Sequence, residues 1–128
     1  ANILNQLGNN EEACKIYKTL MIKYGENSDY LNNYSTSLIN ISEYEEAKKL
    51  LNKAIKIKKN FHQAFYNLGL IDEKKQNYQS AINFFIKAIT INPNYAEANY
   101  NLGCVFQKIG DLVLILLCTR KFIDLIKI

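Results

Sequence analysis

The sequence predicts an all-α fold, a right-handed α-solenoid of antiparallel helix pairs with a 34-residue repeat. Three observations carry that reading. First, the 128 residues hold one Pro and five Gly while Leu, Ile, Lys, Glu and Asn abound, so turn residues are too few for a fold of many short strands. Second, a shift of 34 brings Asn33, Asn67 and Asn101 into one column, with Ser35, Gly69 and Gly103 in another. The same shift aligns Ala13, Ala47 and Ala81, then Ala54 with Ala88, then Tyr17, Leu51 and Phe85, without an insertion or deletion. Third, Tyr78, Ala81, Ile82, Phe85, Ala88 and Ile89 recur at spacings of three and four, the period of one helix face.

Taken in chain order, the pattern predicts helices at 1–7, 10–24, 28–41, 44–58, 62–75, 78–91 and 96–109. The first two follow from register, since Ala13, Tyr17 and Met21 begin columns that later helices repeat. Ser28 ahead of Asp29 offers an N-cap for the third. Ala47, Leu51 and Ala54 mark the fourth, and Phe65, Leu68 and Gly69 the fifth. Asn92-Pro93-Asn94 ends the sixth, because Pro cannot continue a helix, and Asn94 is a candidate cap for the seventh. Loops of two to four residues force antiparallel hairpins, each contacting mainly its neighbours. The chain divides into a half repeat, 1–27, and repeats 28–61, 62–95 and 96–128, the last with a divergent second helix.

With its large, small and turn residues in place, the unit from His62 to Tyr95 resembles the tetratricopeptide repeat (TPR), of the superhelical type with an Asn ladder. Phe65, Leu68, Gly69, Tyr78, Ala81, Phe85, Ala88 and Pro93 sit where that family places such residues. Asp72 departs from it, standing where an aromatic is usual. Its expected place is a partly exposed site beside Lys74 or Lys75; burial would require a hydrogen bond or a raised pKa.

Other function classes find little support. The longest apolar run, Leu112 to Cys118, is far short of the roughly 20 residues of a membrane span, which predicts no membrane partner. The opening residues lack a basic region followed by an apolar core, so no secretory leader is expected. Cys14, Cys104 and Cys118 are widely spaced and His62 is the only His. That spacing predicts no metal site, and an odd count of cysteines without a leader predicts free thiols and a cytoplasmic location. A net charge of +4 carried with one Arg argues against nucleic acid. Lys48, Lys49, Lys53, Lys56, Lys58 and Lys59 read as a solvated outer face. No nucleotide or metalloprotease motif is present, and the prediction is a non-enzyme without cofactor.

The resemblance implies that the first helix of each pair lines a concave groove for a protein or peptide ligand. Its expected contacts are Asn32, Asn33, Asn40, Tyr66, Asn67, Lys74, Tyr100, Asn101 and Lys108. A side-chain amide both donates and accepts, so Asn33, Asn67 and Asn101 could pair with an extended backbone whatever its sequence. Chaperone-type carboxylate recognition is disfavoured, since Asn32, Gln63, Glu97 and Asn101 stand where cations would be needed. Two alternatives remain: a self-associating scaffold, and the recruiting arm of a larger enzyme such as an O-linked N-acetylglucosamine transferase.

Beyond Asp111 the repeat breaks down. Ile115 falls in the Ala13–Ala47–Ala81 column and Phe122 in the Ala54–Ala88 column, and overpacking of that kind typically costs about 1–3 kcal/mol. Residues 102–128 contain neither Asn nor Tyr. The expectation is a helix over 112–128 buried outside the ordinary stack, most simply in a homodimer through Leu114, Ile115, Leu117, Phe122 and Ile126. A shifted reading frame or splice junction is the other origin that fits this change of composition.

Overall fold

The computed structural model describes the backbone of residues 3–126 and the side chains of 8–120. Six helices follow one another: α1 (Ile3–Tyr24), α2 (Ser28–Asn40), α3 (Tyr44–Ile57), α4 (His62–Lys74), α5 (Tyr78–Ile91) and α6 (Ala96–Ile126). Each packs on the next, and α2 also meets α4, giving an all-α helical-repeat solenoid. The helices α2 to α5 match the expected spans to within one residue.

Small residues set the distance between paired helices. Ala47, Ala54, Ala81 and Ala88 are fully buried, and Leu51 and Phe85 fill the space between them. A methyl added at Gly69 would lie 2.6 Å from the Phe85 ring, so only glycine admits that ring. Ser35 fills the same position in the previous hairpin, its hydroxyl reaching the carbonyls of Leu31 at 2.7 Å and Ala47 at 3.3 Å. Both hairpins turn identically. Ser42 and Gln76, 34 residues apart, take left-handed φ of 65° and 64°. Glu43 N–H donates to the Leu38 carbonyl, and Asn77 N–H to that of Asp72, each at 2.8 Å. Such closure satisfies carbonyls that a helix end leaves free.

Three expectations need correction. The cap of α2 is Asn27, whose side chain accepts from Tyr30 N–H at 2.8 Å, so Ser28 is already the first helical residue. Asp72 is buried, and the Ser80 hydroxyl donates to its carboxylate at 2.5 Å. The helices expected at 1–7 and 10–24 are one helix, α1, and α6 likewise runs through the turn expected at Gly110-Asp111. The cause is the same at both ends. A Cβ at Gly8 or at Gly110 would meet nothing within 4 Å, so neither glycine is pressed against a neighbouring element. Continuing the helix adds a backbone hydrogen bond per residue, against about 1 kcal/mol for one glycine.

Unbroken, α6 also holds the one stretch among the described residues, Ala96–Arg120, whose length, with a mean hydropathy of 1.8 over its most apolar 18 residues, would let it cross a membrane. Its first half is committed elsewhere, since Ala98 and Val105 are fully buried in the protein core. From Leu112 to Leu117 every side chain is at least 48% exposed. Phe122 and Ile126 lie in the stretch whose side chains are outside the described residues.

Candidate functional site

The helices α2, α4 and α6 succeed one another along one side of the stack and carry all the expected groove residues. Two polar clamps join them. In the first, the buried Asn67 amide on α4 donates to Asn32 Oδ1 at 2.8 Å and to Thr36 Oγ1 at 3.3 Å, both on α2. In the second, Asn101 on α6 donates to Glu73 Oε1 at 3.2 Å, and Tyr66 donates to Asn101 Oδ1 at 3.5 Å. Lys108 completes it with an ion pair to Glu73 Oε2 at 3.0 Å.

These bonds sort the expected contacts. Asn32, Asn67, Asn101, Tyr66 and Lys108 are held by the protein itself. Asn40 donates to Asn10 Oδ1 at 3.2 Å and so ties α2 to α1. Asn33 and Lys74 are exposed and have no hydrogen-bond or ion-pair partner among the described residues, and Gln63 is in the same state. Tyr100 is 73% exposed, with its hydroxyl pKa raised by a hydrogen bond to Cys104. Thus Asn33 shares the column of Asn67 and Asn101 but not their internal hydrogen bonds.

The contacts follow a diagonal that the columns do not show. Asn32 with Asn67, Tyr66 with Asn101 and Glu73 with Lys108 are each 35 residues apart. Adjacent first helices therefore meet one residue off the repeat period. A search at 35 would have revealed Glu73 as the junction of the second clamp, a role no single column suggests.

Below the second clamp lies an aromatic cluster. Tyr66 packs edge-on to Tyr95 at 5.2 Å and tilted to Phe85 at 5.7 Å, while His62 meets Tyr95 at 4.8 Å. Burial, then the carboxylates of Glu97 and Glu73, push the Tyr66 hydroxyl pKa up. Burial, Glu97 and Tyr66 push Tyr95 to about 12. The bond to Glu73 raises Lys108, so this lysine stays cationic. Among the described residues no group of three His, Cys, Asp or Glu stands close enough to hold a metal ion. The arrangement is suited to holding a chain by amide, phenol and ammonium groups.

Two family models match: one for the tetratricopeptide repeat over residues 28–61 and one for the TPR repeat over 72–110, together more than half of the chain. No curated protein matches the sequence. Among solved structures, the chain is similar to the TPR domain of Arabidopsis OM64, with a TM-score of 0.71 and 20% identity, covering 77% of this chain and 81% of that one. It is similar to MamA, with a TM-score of 0.69 and 27% identity, covering 80% of this chain and 60% of that one. It is also similar to the second TPR domain of human RPAP3 in complex with the HSP70 peptide SGPTIEEVD. There the TM-score is 0.68 and the identity 23%, covering 77% of this chain and 82% of that one.

Proposed function

The chain belongs to the tetratricopeptide repeat family, and from that premise we propose that it is a protein-interaction module. It holds an extended peptide along the side formed by α2, α4 and α6. The observation that carries this reading is the contrast within that side: rigid clamps lie next to unspent polar groups on Asn33, Gln63 and Lys74. A ligand backbone can pair with such groups without first breaking an internal bond. Exposed Tyr100 adds apolar area with a polar tip, a combination that suits peptide capture.

The peptide seen with RPAP3 is acidic, and the ligand of this chain has different chemistry. Lys108 is spent on Glu73, which leaves Lys74 against Asp29 and Glu97. A neutral or basic internal segment fits that balance better than a C-terminal carboxylate. The module carries no catalysis of its own in this reading, and it works in the cytoplasm, where its three cysteines stay thiols.

Selection from a displayed peptide library on the immobilised chain tests the proposal. Selected peptides should bind the Asn33→Ala/Tyr100→Ala variant about tenfold more weakly, equivalent to 1.4 kcal/mol, and bind Lys49→Ala unchanged. Asn67→Ala should instead lower the melting temperature, because its amide bridges two helices. Peptides that lose affinity for Lys49→Ala but not for the groove variant would sink the proposal.

A further inference from the structure

A cleft of about 410 Å³ lies between α5 and the loop that leads into α4, and it shares none of the groove residues. Phe65, Ile86 and Ile91 supply its apolar lining, with Lys59 and Lys87 beside them. Phe65 is buried beneath Lys87, whose ammonium sits 5.0 Å from the centre of the ring. Ile86 remains 46% exposed. Neither lysine has a carboxylate partner among the described residues, where the ion pairs are those of Lys53, Lys75 and Lys108.

No carboxylate lines the cleft, and few stand near it in sequence. From Ala47 to Ile71 the chain has six lysines and no acidic residue, and from Lys74 to Ala96 three lysines and none. Of the two acids between, Asp72 is buried on Ser80 and Glu73 is held by Lys108. The surface around the cleft is therefore positive, and an apolar depression strengthens its pull on an anion.

The shape narrows the choice of occupant. Asn83, Ile86, Lys87, Thr90 and Ile91 recur along one face of α5 at spacings of three and four, a strip about 12 Å long. Such a strip suits a peptide laid along the helix. Nucleic acid suits it less, because the lining has no arginine and the buried Phe65 ring offers no free face for a base to stack on.

We infer that this cleft is a second docking site, for an acidic peptide segment of a protein partner. Apolar side chains of the segment rest on Phe65, Ile86 and Ile91, and its carboxylates meet Lys59 and Lys87. The inference is independent of the groove reading, and charge separates the two sites. The groove sets Lys74 against Asp29 and Glu97 and favours a neutral or basic segment, whereas the cleft repels a basic one.

The experiment uses the full chain, labelled for amide NMR, with short synthetic peptides in which two leucines three or four apart are set among glutamates. One matched series carries lysines in place of the glutamates, and another carries serines in place of the leucines. The acidic leucine peptides should shift the amide signals of Asn60, Asn83, Lys87 and Thr90 and leave those of Asn33 and Tyr100 in place. Lys59→Glu/Lys87→Glu should weaken their binding about tenfold or more, and Ile86→Ser about fivefold, while circular dichroism keeps its helical signal. The lysine series should leave the cleft signals unmoved. The inference is overturned if no acidic leucine peptide shifts the cleft, or if the double variant binds undiminished. Equal binding of the serine series also overturns it, since charge alone would then account for the attraction. A DNA duplex that shifts the same amides more strongly than any peptide would assign the basic surface to nucleic acid instead.

Discussion

Gly69 and Gly103 hold the same place in successive repeats, and their surroundings differ completely. The first is buried under Phe85, while the second faces open space. The turn positions that follow are reversed in quality. Gln76 pays a left-handed φ of 64° to make its turn, about 1–2 kcal/mol for a residue with a Cβ. Gly110 could take that conformation freely, yet the helix runs on. A good turn residue therefore does not make a hairpin here. The reversal at Gln76 is held by burial of Ile82 and Phe85, each worth about 1.5–3 kcal/mol. At Gly110 the helix continues instead, and Leu112 to Leu117 stay exposed.

The largest effect that can break this comparison comes from Phe85. Phe85→Ala should cost about 3–5 kcal/mol, because the ring is fully buried against Gly69 and Tyr66. Its counterpart Thr119→Ala, in dilute monomeric chain, should stay within about 0.5 kcal/mol. Urea unfolding of both variants is the check. Equal losses would mean that the two repeats are packed alike.

Much of this difference was legible beforehand, and the part that was not has a physical cause. Helices α2 to α5 follow from local spacing plus the 34-residue columns, since each has a partner in the chain and the pattern encodes that partner. The repeat register predicts breaks near residues 8–9 and 110–111 where α1 and α6 run on, because a register records where turns belong and says nothing about whether packing supports them. The site shows the same limit. Asn67 and Asn101 were recognisable as repeated amides, but their pairing lies on the 35-residue diagonal. The neighbouring Lys74 and Lys75 suggest a surface carboxylate at Asp72, whereas it is buried. Its partner, Ser80, lies across the hairpin, where no one-dimensional spacing points.

A smaller effect, of opposite sign in the two repeats, comes from the glycines themselves. Gly69→Ala puts a methyl 2.6 Å from the Phe85 ring and should destabilise by about 1–3 kcal/mol. Gly103→Ala in dilute chain removes a mid-helix glycine at an open position and should stabilise by about 0.5–1 kcal/mol. Paired thermal melts decide it. Two changes of the same sign would show that Gly103 is packed in solution even in the monomer.

The least of the expected effects tests the junction between the two repeats. Tyr95 precedes α6 and packs on Tyr66 and His62 of α4. Its hydroxyl pKa stands at about 12, raised first by burial and then by Glu97 and Tyr66. Since the folded value lies above the ordinary tyrosine value near 10, the unfolded chain releases this proton first as pH rises. The stabilising contribution is therefore complete below about pH 10 and is lost as pH climbs through the folded pKa. Urea midpoints followed from pH 9 to pH 12 should fall for the unmodified chain. Tyr95→Phe keeps the ring contacts but cannot titrate, so its midpoint should fall less over that window while matching the unmodified chain at neutral pH. Ultraviolet difference absorbance should show one late-titrating tyrosine disappear in the variant. Parallel decline of both proteins would place the alkaline sensitivity elsewhere, with Tyr66 and Tyr34 as the other buried phenols whose pKa values burial raises.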